Sequence, residues 1–286
     1  MKKIVSLLLA VALLCGCAFT LASCGDKGDN GDTAATFVSK VAAQKGTTSK
    51  MYADLLKGVE VVSYDSFALA AKDMLNGRAD YVIVDKTTGE SLCREIAGLK
   101  VNPIALSSEN YGIAIDKSQA NLKSQIDVIL ADKADAIQAI KDKYMNNEEA
   151  SFVGVTSAAK DVSKAAQQLV VATNAEFAPW EYKEGNQYFG IDMEIAALIA
   201  AELGLELVIE DMDFDNVVGS VGKQGIDIAM SGITITAERA EVVNFSTSYY
   251  TESIVIVHKA TDNSLAKCGT AVDLLTVLCV ADEEEK

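Results

Sequence analysis

The chain has 286 residues, of which 41 are Asp or Glu and 25 are Lys or Arg, so its formal net charge is −16. A chain this acidic is repelled by nucleic acid and by anionic lipid, which argues against binding the one or docking electrostatically on the other. One histidine, with neither a nucleophile elbow nor a phosphate loop in the sequence, leaves most hydrolase and nucleotide-binding schemes without their residues. We therefore predict no catalytic residues, no cofactor and no metal site.

The first 23 residues have the pattern of a bacterial lipoprotein signal peptide. Lys2 and Lys3 precede an apolar run without acidic residues, which is too short for a comfortable membrane span. Leu-Ala-Ser stands directly before Cys24, as in lipoprotein cleavage sites, and an ordinary export signal is the alternative. We predict cleavage after residues 1–23, lipidation of Cys24 as the membrane anchor, and a flexible tether over residues 24–36.

Residues 37–110 alternate between strand-like and helix-like patterns. The β-prone runs Val38–Ala43, Val59–Ser63 and Tyr81–Val84 are separated by stretches with helical spacing, the second of which stops at Gly77. Strand–helix–strand alternation of this kind predicts a parallel sheet.

Polar side chains follow two of these strands. Thr47 and Thr48 stand where a helix begins, so that they can cap it and its first N–H groups can face an anion. Asp85 ends a strand at the sheet edge where open α/β sheets bind ligands. The alternative for Asp85 is N-capping of a helix that begins at Lys86, and the residues alone do not decide between the two.

The middle of the chain connects two α/β units. Tyr111–Ile115 is a predicted strand, Asn121–Tyr144 reads as two helices, and the polar, small-residue-rich stretch 148–168 is a predicted linker. In residues 169–260, strands alternate again with helices, and Gly204 ends the best-marked helix.

The last predicted strand, Ser253–His258, lies near the end of the second α/β unit. Residues 261–286 have no clear pattern, although Val272–Val280 is apolar.

The stretch Ile226–Arg239 combines a buried strand with a polar end. Five mostly apolar residues lead into Ser231, Gly232 and Thr234, and Arg239 follows, with a helix predicted nearby. Glycine lets backbone groups approach a ligand closely, and a guanidinium matches a carboxylate with two parallel hydrogen bonds. Taken alone, the stretch is better explained as a strand, a loop and a helix that carries a surface arginine.

Nine short motifs carry a resemblance to a known family: Val41–Thr48, Asp80–Asp85, Tyr111–Ile115, Ala172–Asn174, Phe177–Glu181, Gly190–Asp192, Ser231–Arg239, Asn244–Ser246 and Tyr249–Tyr250. With them, residues 169–260 resemble the first lobe of the extracytoplasmic solute-binding proteins that serve ABC importers of polar amino acids. Residues 37–110 resemble the second lobe. Residues 111–147 resemble the return crossing between the lobes and the closing helices that pack on the first lobe.

This resemblance implies a two-lobed α/β fold of the periplasmic-binding-protein type. Each lobe is then a mostly parallel sheet flanked by helices, with a ligand cleft between the lobes. The lobes stand in the reverse of the family's order, which indicates a circular permutation joined through the linker, or a fusion of two truncated genes. In the permuted order one of the two hinge strands is expected to be cut, so that closure rests on Tyr111–Ile115 and on packing by Ser253–His258.

The resemblance also implies a role for each polar motif. Arg239 would clamp the carboxylate of an amino acid, helped by backbone N–H groups at Thr234 and at the Thr47–Thr48 helix start. Asp85 would face the ammonium group, with Ser231 and Thr234 oxygens nearby.

The ligand side chain would lie against an aromatic wall. Phe177 is the first choice for this wall and Trp180 the second, because aromatic residues are often core. Asn174 stands where relatives that bind cationic side chains often carry an acid, so its neutrality weakly disfavours Arg or Lys as the ligand, although Glu176 and Asp213 could reverse this.

The expected function is capture of a free polar amino acid by a lipid-anchored protein outside the cell membrane, for delivery to an ABC-importer permease. Two alternatives stay open from the sequence. A few relatives are dehydratases, and a rearranged chain could fold without binding a ligand.

Overall fold

The structure of the protein is a computed structural model, and it describes residues 39–279. The predicted signal peptide, Cys24 and the tether lie outside these residues. The fold consists of two α/β lobes joined by two crossing strands, which confirms the predicted fold class. We keep the names first lobe and second lobe, and number the elements along the chain.

The second lobe is a five-stranded sheet in the order β2-β1-β3-β15-β4, with helices on its faces. The alternation predicted for its first three strands is confirmed, because β1 pairs in parallel with both β2 and β3. β15 and β4 add two antiparallel pairings. The elements are β1 Ser39–Gln44, α1 Thr48–Asp54, β2 Val59–Tyr64, α2 Phe67–Leu75, β3 Tyr81–Asp85, α3 Lys86–Glu95, β4 Leu99–Asn102, β15 Ile254–Lys259 and α8 Ala271–Cys279.

The first lobe is a second five-stranded sheet, in the order β11-β7-β12-β6-β13, with a small three-stranded sheet beside it. β7 pairs in parallel with β11 and β12, while β6 runs antiparallel to β12 and β13. The elements are β6 Ala114–Ile115, α4 Ala120–Asp132, α5 Ala134–Met145, β7 Gln168–Thr173, β8 Glu176–Phe177, β9 Glu181–Glu184, β10 Gln187–Phe189, α6 Ile191–Leu203, β11 Glu206–Asp211, α7 Phe214–Ser220, β12 Ile228–Ala229 and β13 Asn244–Phe245.

Helix α6 shows how the sequence forms this lobe. It begins after Gly190 and ends at Gly204, which has a left-handed φ of +68° that a residue with a side chain rarely adopts. Its apolar face includes Ile191, Ile195 and Ile199, which are fully buried. The pair α4 and α5 packs on the same helix, as the predicted closing helices should.

Two crossing strands join the lobes, and they pair with each other. β5 (Glu109–Tyr111) leads from the second lobe to the first, and β14 (Tyr250–Glu252) leads back. They run antiparallel, with Tyr111 opposite Tyr250 and Glu109 opposite Glu252. The expectation that one hinge strand is cut is therefore wrong, because both crossings are present.

The last strand is also placed differently from the prediction. The sequence predicts Ser253–His258 in the first lobe, but β15 inserts between β3 and β4 of the second lobe. Its residues Ile254–Val257 are all buried, because both faces of the sheet are covered. An all-apolar strand fits either sheet, so its pattern could not identify the lobe.

Two further predictions need correction. Tyr111–Ile115 is not one strand, because it passes from the hinge pair to β6 at Gly112. The helix expected near Arg239 is a single 3-10 turn, Arg239–Glu241.

The residues after β15 form part of the second lobe. α8 packs Leu274, Leu275 and Leu278 into the apolar core beside β1 and β3. The Ser39 hydroxyl, at the start of β1, donates a hydrogen bond of 2.8 Å to the Leu278 carbonyl. Within residues 39–279, no helix combines the length and apolar character that crossing a membrane requires.

We predict that Leu274→Ala lowers the free energy of unfolding by about 2–5 kcal/mol, because Leu274 is fully buried and the change leaves a cavity. Urea denaturation followed by circular dichroism measures this loss. Val272→Ala is the matched control, since Val272 is 51% exposed on the same helix and its truncation should cost less than about 0.5 kcal/mol. Equal stability of Leu274→Ala and wild type would show that α8 is not part of the folded lobe.

Candidate functional site

A narrow cleft lies between the two lobes, beside the hinge pair. Its enclosed space is about 10 Å³, enough for roughly one water molecule and too little for an amino acid, so the lobes must separate before a ligand of that size can enter. The second lobe contributes the ends of β1 and β3 and the start of α1, while the first lobe contributes β8, the start of α7 and the loop after β12. The lining residues are Gln44, Thr47, Thr48, Asp85, Phe177, Phe214, Ser231, Gly232, Thr234 and Arg239.

Arg239 links the two lobes across this cleft. One guanidinium nitrogen, Nη1, donates to the Thr234 carbonyl at 2.9 Å, and the other, Nη2, donates to the Gly46 carbonyl in the second lobe at 3.0 Å. The guanidinium also lies 5.6 Å from the centre of the Phe214 ring. Burial lowers the pKa of Arg239, while the charges of Glu109 and Asp85 oppose that change. The arrangement keeps an always-charged group within the cleft.

Asp85 faces the same cleft from the end of β3. It occupies the N-cap position of α3, but its side chain makes no capping hydrogen bond, and Oδ1 is buried without a partner among residues 39–279. Burial raises the pKa of Asp85 well above its ordinary value, and the charges of Glu109 and Glu252 raise it further, against the opposing effects of the Tyr111 hydroxyl and of Arg239. A buried carboxyl oxygen without a partner is costly for the fold, and capping does not account for it.

Thr47 and Thr48 occupy the start of α1, as predicted. The Thr47 hydroxyl accepts a hydrogen bond from the Lys50 backbone N–H at 3.0 Å and donates to the Gln44 carbonyl at 2.7 Å. The Thr48 hydroxyl donates to a carboxylate oxygen of Glu109 at 2.7 Å. Thr47 therefore fixes the helix start, while Thr48 contacts the hinge.

The loop after β12 is held from behind by two buried acids. The Ser231 hydroxyl donates to Glu181 at 2.6 Å, and the Gly232 backbone N–H donates to Asp192 at 2.8 Å. The Tyr249 hydroxyl also donates to Asp192. The Gly232 N–H and the Ser231 hydroxyl are thus engaged inside the lobe, although both residues line the cleft.

Burial governs the protonation of these two acids. It raises the pKa of Asp192 to about 7, and together with the charge of Asp192 it raises the pKa of Glu181 well above its ordinary value. A protonated carboxyl can both donate and accept, which suits a pair of acids packed behind one loop.

Gly232 is required by the geometry of this loop. Its φ is +52°, and a Cβ atom at this position would lie 2.7 Å from a ring carbon of Phe177. Both the backbone conformation and the space therefore exclude a side chain. The reason differs from the predicted one, because the close neighbour in this structure is Phe177.

The two predicted aromatic residues occupy different positions. Phe177 lines the cleft. Trp180 does not line it in this structure: its ring is fully buried against Tyr111 and Tyr250 of the hinge pair, at centroid distances of 4.9 and 4.7 Å. Its indole N–H donates to the Thr87 hydroxyl at 2.8 Å. Trp180 is therefore a packing residue between the lobes.

Asn174 lies just behind the cleft and holds one of its walls. Its side-chain oxygen accepts a hydrogen bond of 2.9 Å from the Gln44 amide across the lobe boundary. Gln44 and Phe214 line the cleft and are absent from the sequence-based site. Gln44 ends β1 at the binding edge of the sheet, so the rule that pointed to Asp85 could have found it.

The arrangement joins one cation, one acid and apolar rings in a closable cleft. These groups suit a small zwitterion with a carboxylate, an ammonium group and a side chain. Among the residues that the structure describes, no three His, Cys, Asp or Glu side chains come together as a candidate metal site.

Sequence comparison finds relatives of the later part of the chain. Residues 169–278 match the bacterial extracellular solute-binding proteins, family 3. The arginine-binding extracellular protein ArtP of Bacillus subtilis is 39% identical over 93 residues, which are 32% of this chain and 36% of ArtP. The cyclohexadienyl dehydratase of Pseudomonas aeruginosa is 37% identical over 82 residues, which are 28% of this chain and 31% of that enzyme.

Among solved structures, the arginine-bound Phe57Trp mutant of domain 1 from TmArgBP is 34% identical. The match covers 40% of this chain and 92% of that domain, with a TM-score of 0.30. The matches to ArtP and to the dehydratase each span about a third of the relative's length.

Asp85→Asn should make the unliganded protein more stable at pH 7, by on the order of 1–3 kcal/mol, because the amide removes a buried carboxyl that is costly to ionise. The raised pKa of Asp85 means that its contribution to stability is complete below about pH 4 and is lost as pH rises through the folded-state pKa. The gain should therefore shrink towards pH 4.

Urea denaturation between pH 4 and pH 8 measures this difference, and Asp54→Asn, at an exposed position, is the control that should change little. A variant less stable than wild type at pH 7, or a gain that does not vary with pH, would contradict the assignment.

Proposed function

We propose that this protein captures a free polar amino acid between its two lobes, delivers it to the permease of an ABC importer and leaves it chemically unchanged. The observation that carries the proposal is the position of Arg239 and Asp85, which enter one closable cleft from opposite lobes. The family 3 segment supports the same function.

Arg239 is proposed to bind the ligand carboxylate. In the closed cleft its two nitrogens contact the Thr234 and Gly46 carbonyls, and the contact to Gly46 must break when the lobes separate. The Nη2 group freed from Gly46 can then bind a carboxylate together with other N–H groups of the guanidinium, with backbone N–H groups of Thr234 and of the Thr47–Thr48 turn beside it.

Asp85 is proposed to bind the ammonium group. Its Oδ1 is buried without a partner among residues 39–279, and a cation placed against it would remove that deficit. Ser231 and Thr234 line the same cleft, and the Ser231 carbonyl and the Thr234 oxygens are proposed to complete the contact, because the Ser231 hydroxyl already bonds to Glu181.

The side chain of the ligand is proposed to lie between Phe177 and Phe214, with Gln44 and Asn174 behind it. Arginine is the first ligand to test, because ArtP and the TmArgBP domain are arginine-binding by name. The neutral Asn174 weakly favours a neutral side chain, so glutamine belongs in the same panel.

A dehydratase is the second candidate function. Two observations favour it: the similarity to cyclohexadienyl dehydratase, and a carboxyl with a raised pKa in the cleft, as a general acid requires. Release of water from a cyclohexadienyl substrate would support the enzyme, and binding of an amino acid without turnover would support the transport protein.

We also propose that the lobes are circularly permuted relative to the family. The contact between Ser39 and Leu278 supports this order, because the start of β1 and the end of α8 meet within one lobe while both crossings stay intact. A fusion of two truncated genes would give the same fold and is the alternative origin. The proposed location is outside the cell membrane, anchored through lipidated Cys24.

Arg239→Ala should weaken amino-acid binding by about 2–5 kcal/mol, because it removes a desolvated partner of the carboxylate. Isothermal titration calorimetry with arginine, glutamine and the rest of the amino-acid panel measures the loss. Arg78→Ala is the matched control: Arg78 forms an exposed pair with Asp73, and its removal should cost under about 1 kcal/mol in stability and leave the affinity unchanged. Equal affinity of wild type and Arg239→Ala would refute the site.

Cys24→Ala should release the protein from the membrane fraction or leave its precursor uncleaved, because the lipid can no longer be attached. Membrane fractionation and gel mobility measure both effects, with Cys93→Ala as the control that keeps the anchor. Amino-acid affinity should be the same in both variants. Unchanged attachment and processing of Cys24→Ala would exclude lipidation at this residue.

A further inference from the structure

The hinge carries a glutamate that contacts both lobes at once. Glu109 lies on β5, and its oxygen Oε2 accepts a hydrogen bond of 2.7 Å from the Thr48 hydroxyl of the second lobe. The same oxygen accepts a hydrogen bond of 2.6 Å from the Thr234 hydroxyl of the first lobe. The two hydroxyl oxygens lie 3.5 Å apart. One carboxylate oxygen thus joins the two sides of the cleft.

This contact depends on closure. Thr48 is on α1 and Thr234 is on the loop after β12, and these elements belong to different sheets. Separation of the lobes moves the two hydroxyls apart, so that a single oxygen can no longer accept from both. Hydrogen bonds to a charged acceptor are roughly twice as strong as neutral ones, so the loss of either contact on opening favours the closed form.

The charge of Glu109 also acts on the residues that line the cleft. It is foremost among the charges that raise the pKa of both Arg239 and Asp85, so it lies close to the cation and to the acid proposed to bind the ligand. Glu109 does not line the enclosed space in this structure, whereas both threonines do. It is therefore placed behind the threonines and acts on the cleft through them.

Other contacts within residues 39–279 bridge the lobes, but in none of them does one oxygen accept from a side chain of each lobe. Arg239 reaches the Gly46 carbonyl, and the Asn174 oxygen accepts from the Gln44 amide, but each joins one group to one group. On the opposite hinge strand, Glu252 accepts from the Thr87 hydroxyl, which in turn receives the Trp180 indole N–H. Only Glu109, among the described hinge residues, accepts directly from a side chain of each lobe.

We propose that Glu109 is a positioning residue that stabilises the closed cleft and orients Thr48 and Thr234 within it. This inference rests on the proposed capture of an amino acid. It makes Glu109 a determinant of how long the ligand is held, while the rate of capture depends on the open form. Removal of Glu109 should therefore change the dissociation rate far more than the association rate.

The test compares Glu109→Gln with Glu60→Gln. Glutamine keeps the size of the side chain and an oxygen that can accept two hydrogen bonds, but this oxygen is neutral, so the bonds from Thr48 and Thr234 become weaker. Glu60 is an exposed carboxylate on β2 that pairs with Lys40, and its change should leave the cleft unaffected. Thr48→Val and Thr234→Val, made alone and with Glu109→Gln, supply a double-mutant cycle.

Two measurements decide the outcome. Small-angle X-ray scattering without ligand reports closure: wild type and Glu60→Gln should give the same radius of gyration, and Glu109→Gln a larger one. Stopped-flow binding of the amino acid identified by calorimetry should show dissociation from Glu109→Gln about 10- to 100-fold faster, with association within about 3-fold of wild type. In the Glu109→Gln background, Thr48→Val and Thr234→Val should increase the dissociation rate only slightly further.

The scattering experiment needs no ligand, so it stands even if no amino acid binds and the proposed function fails. An unchanged radius of gyration together with an unchanged dissociation rate would overturn the role of Glu109. So would a loss of affinity confined to arginine and lysine and absent for glutamine, because that pattern indicates a direct contact with a cationic side chain. Circular dichroism confirms folding, and the threonine variants keep the test open if Glu109→Gln does not fold.

Discussion

The antiparallel pairing of β5 with β14 sets the geometry of the whole molecule. Each strand leaves one lobe and enters the other, so the pairing keeps the two sheets next to each other with the cleft between them. The fully buried Trp180 ring packs edge-on against Tyr111 and Tyr250, one residue from each strand, and such aromatic pairs add to the stability gained from burial. The cleft residues come together because this short pair holds their lobes in place.

The cleft contains buried acids that lower the stability of the fold. Asp85, Glu181 and Asp192 are buried acids that a core built for stability alone would replace with apolar residues. Two of them hold the loop that carries Ser231 and Gly232, and the third faces the cleft with an unpartnered oxygen among residues 39–279. Local conflict with the rules of stable packing is common where a protein binds a ligand.

Much of the fold follows from patterns within single elements. The helix over Ile191–Leu203 and its end at Gly204 were set by apolar spacing and by one residue without a side chain, both readable from the sequence. Strand β15 is different, because its residues are apolar on both faces and fit either sheet. The continuity of both crossings depends on which lobe β15 joins, so the error about the cut hinge follows from the error about this strand.

The candidate site was predictable where strand ends carry polar residues. Asp85 and Arg239 do line one cleft, in agreement with their positions after β3 and β12. Trp180 and Phe177 stand three residues apart in one motif, and no sequence rule distinguishes the residue that turns towards the hinge from the residue that turns towards the cleft. Glu109 could not be identified either, because its contacts with Thr48 and Thr234 exist only after three distant segments meet.

If Asp85 binds the ammonium group as we propose, its protonation state links ligand capture to proton release. Burial and neighbouring charges favour the neutral acid in the closed, unliganded protein. An ammonium group placed against this carboxyl favours its ionised form, so capture would expel a proton into the solvent. The heat of binding would then depend on the ionisation enthalpy of the buffer. Affinity would rise with external pH, by up to about tenfold per unit while one proton is released, and an acidic surrounding medium would load the protein less well.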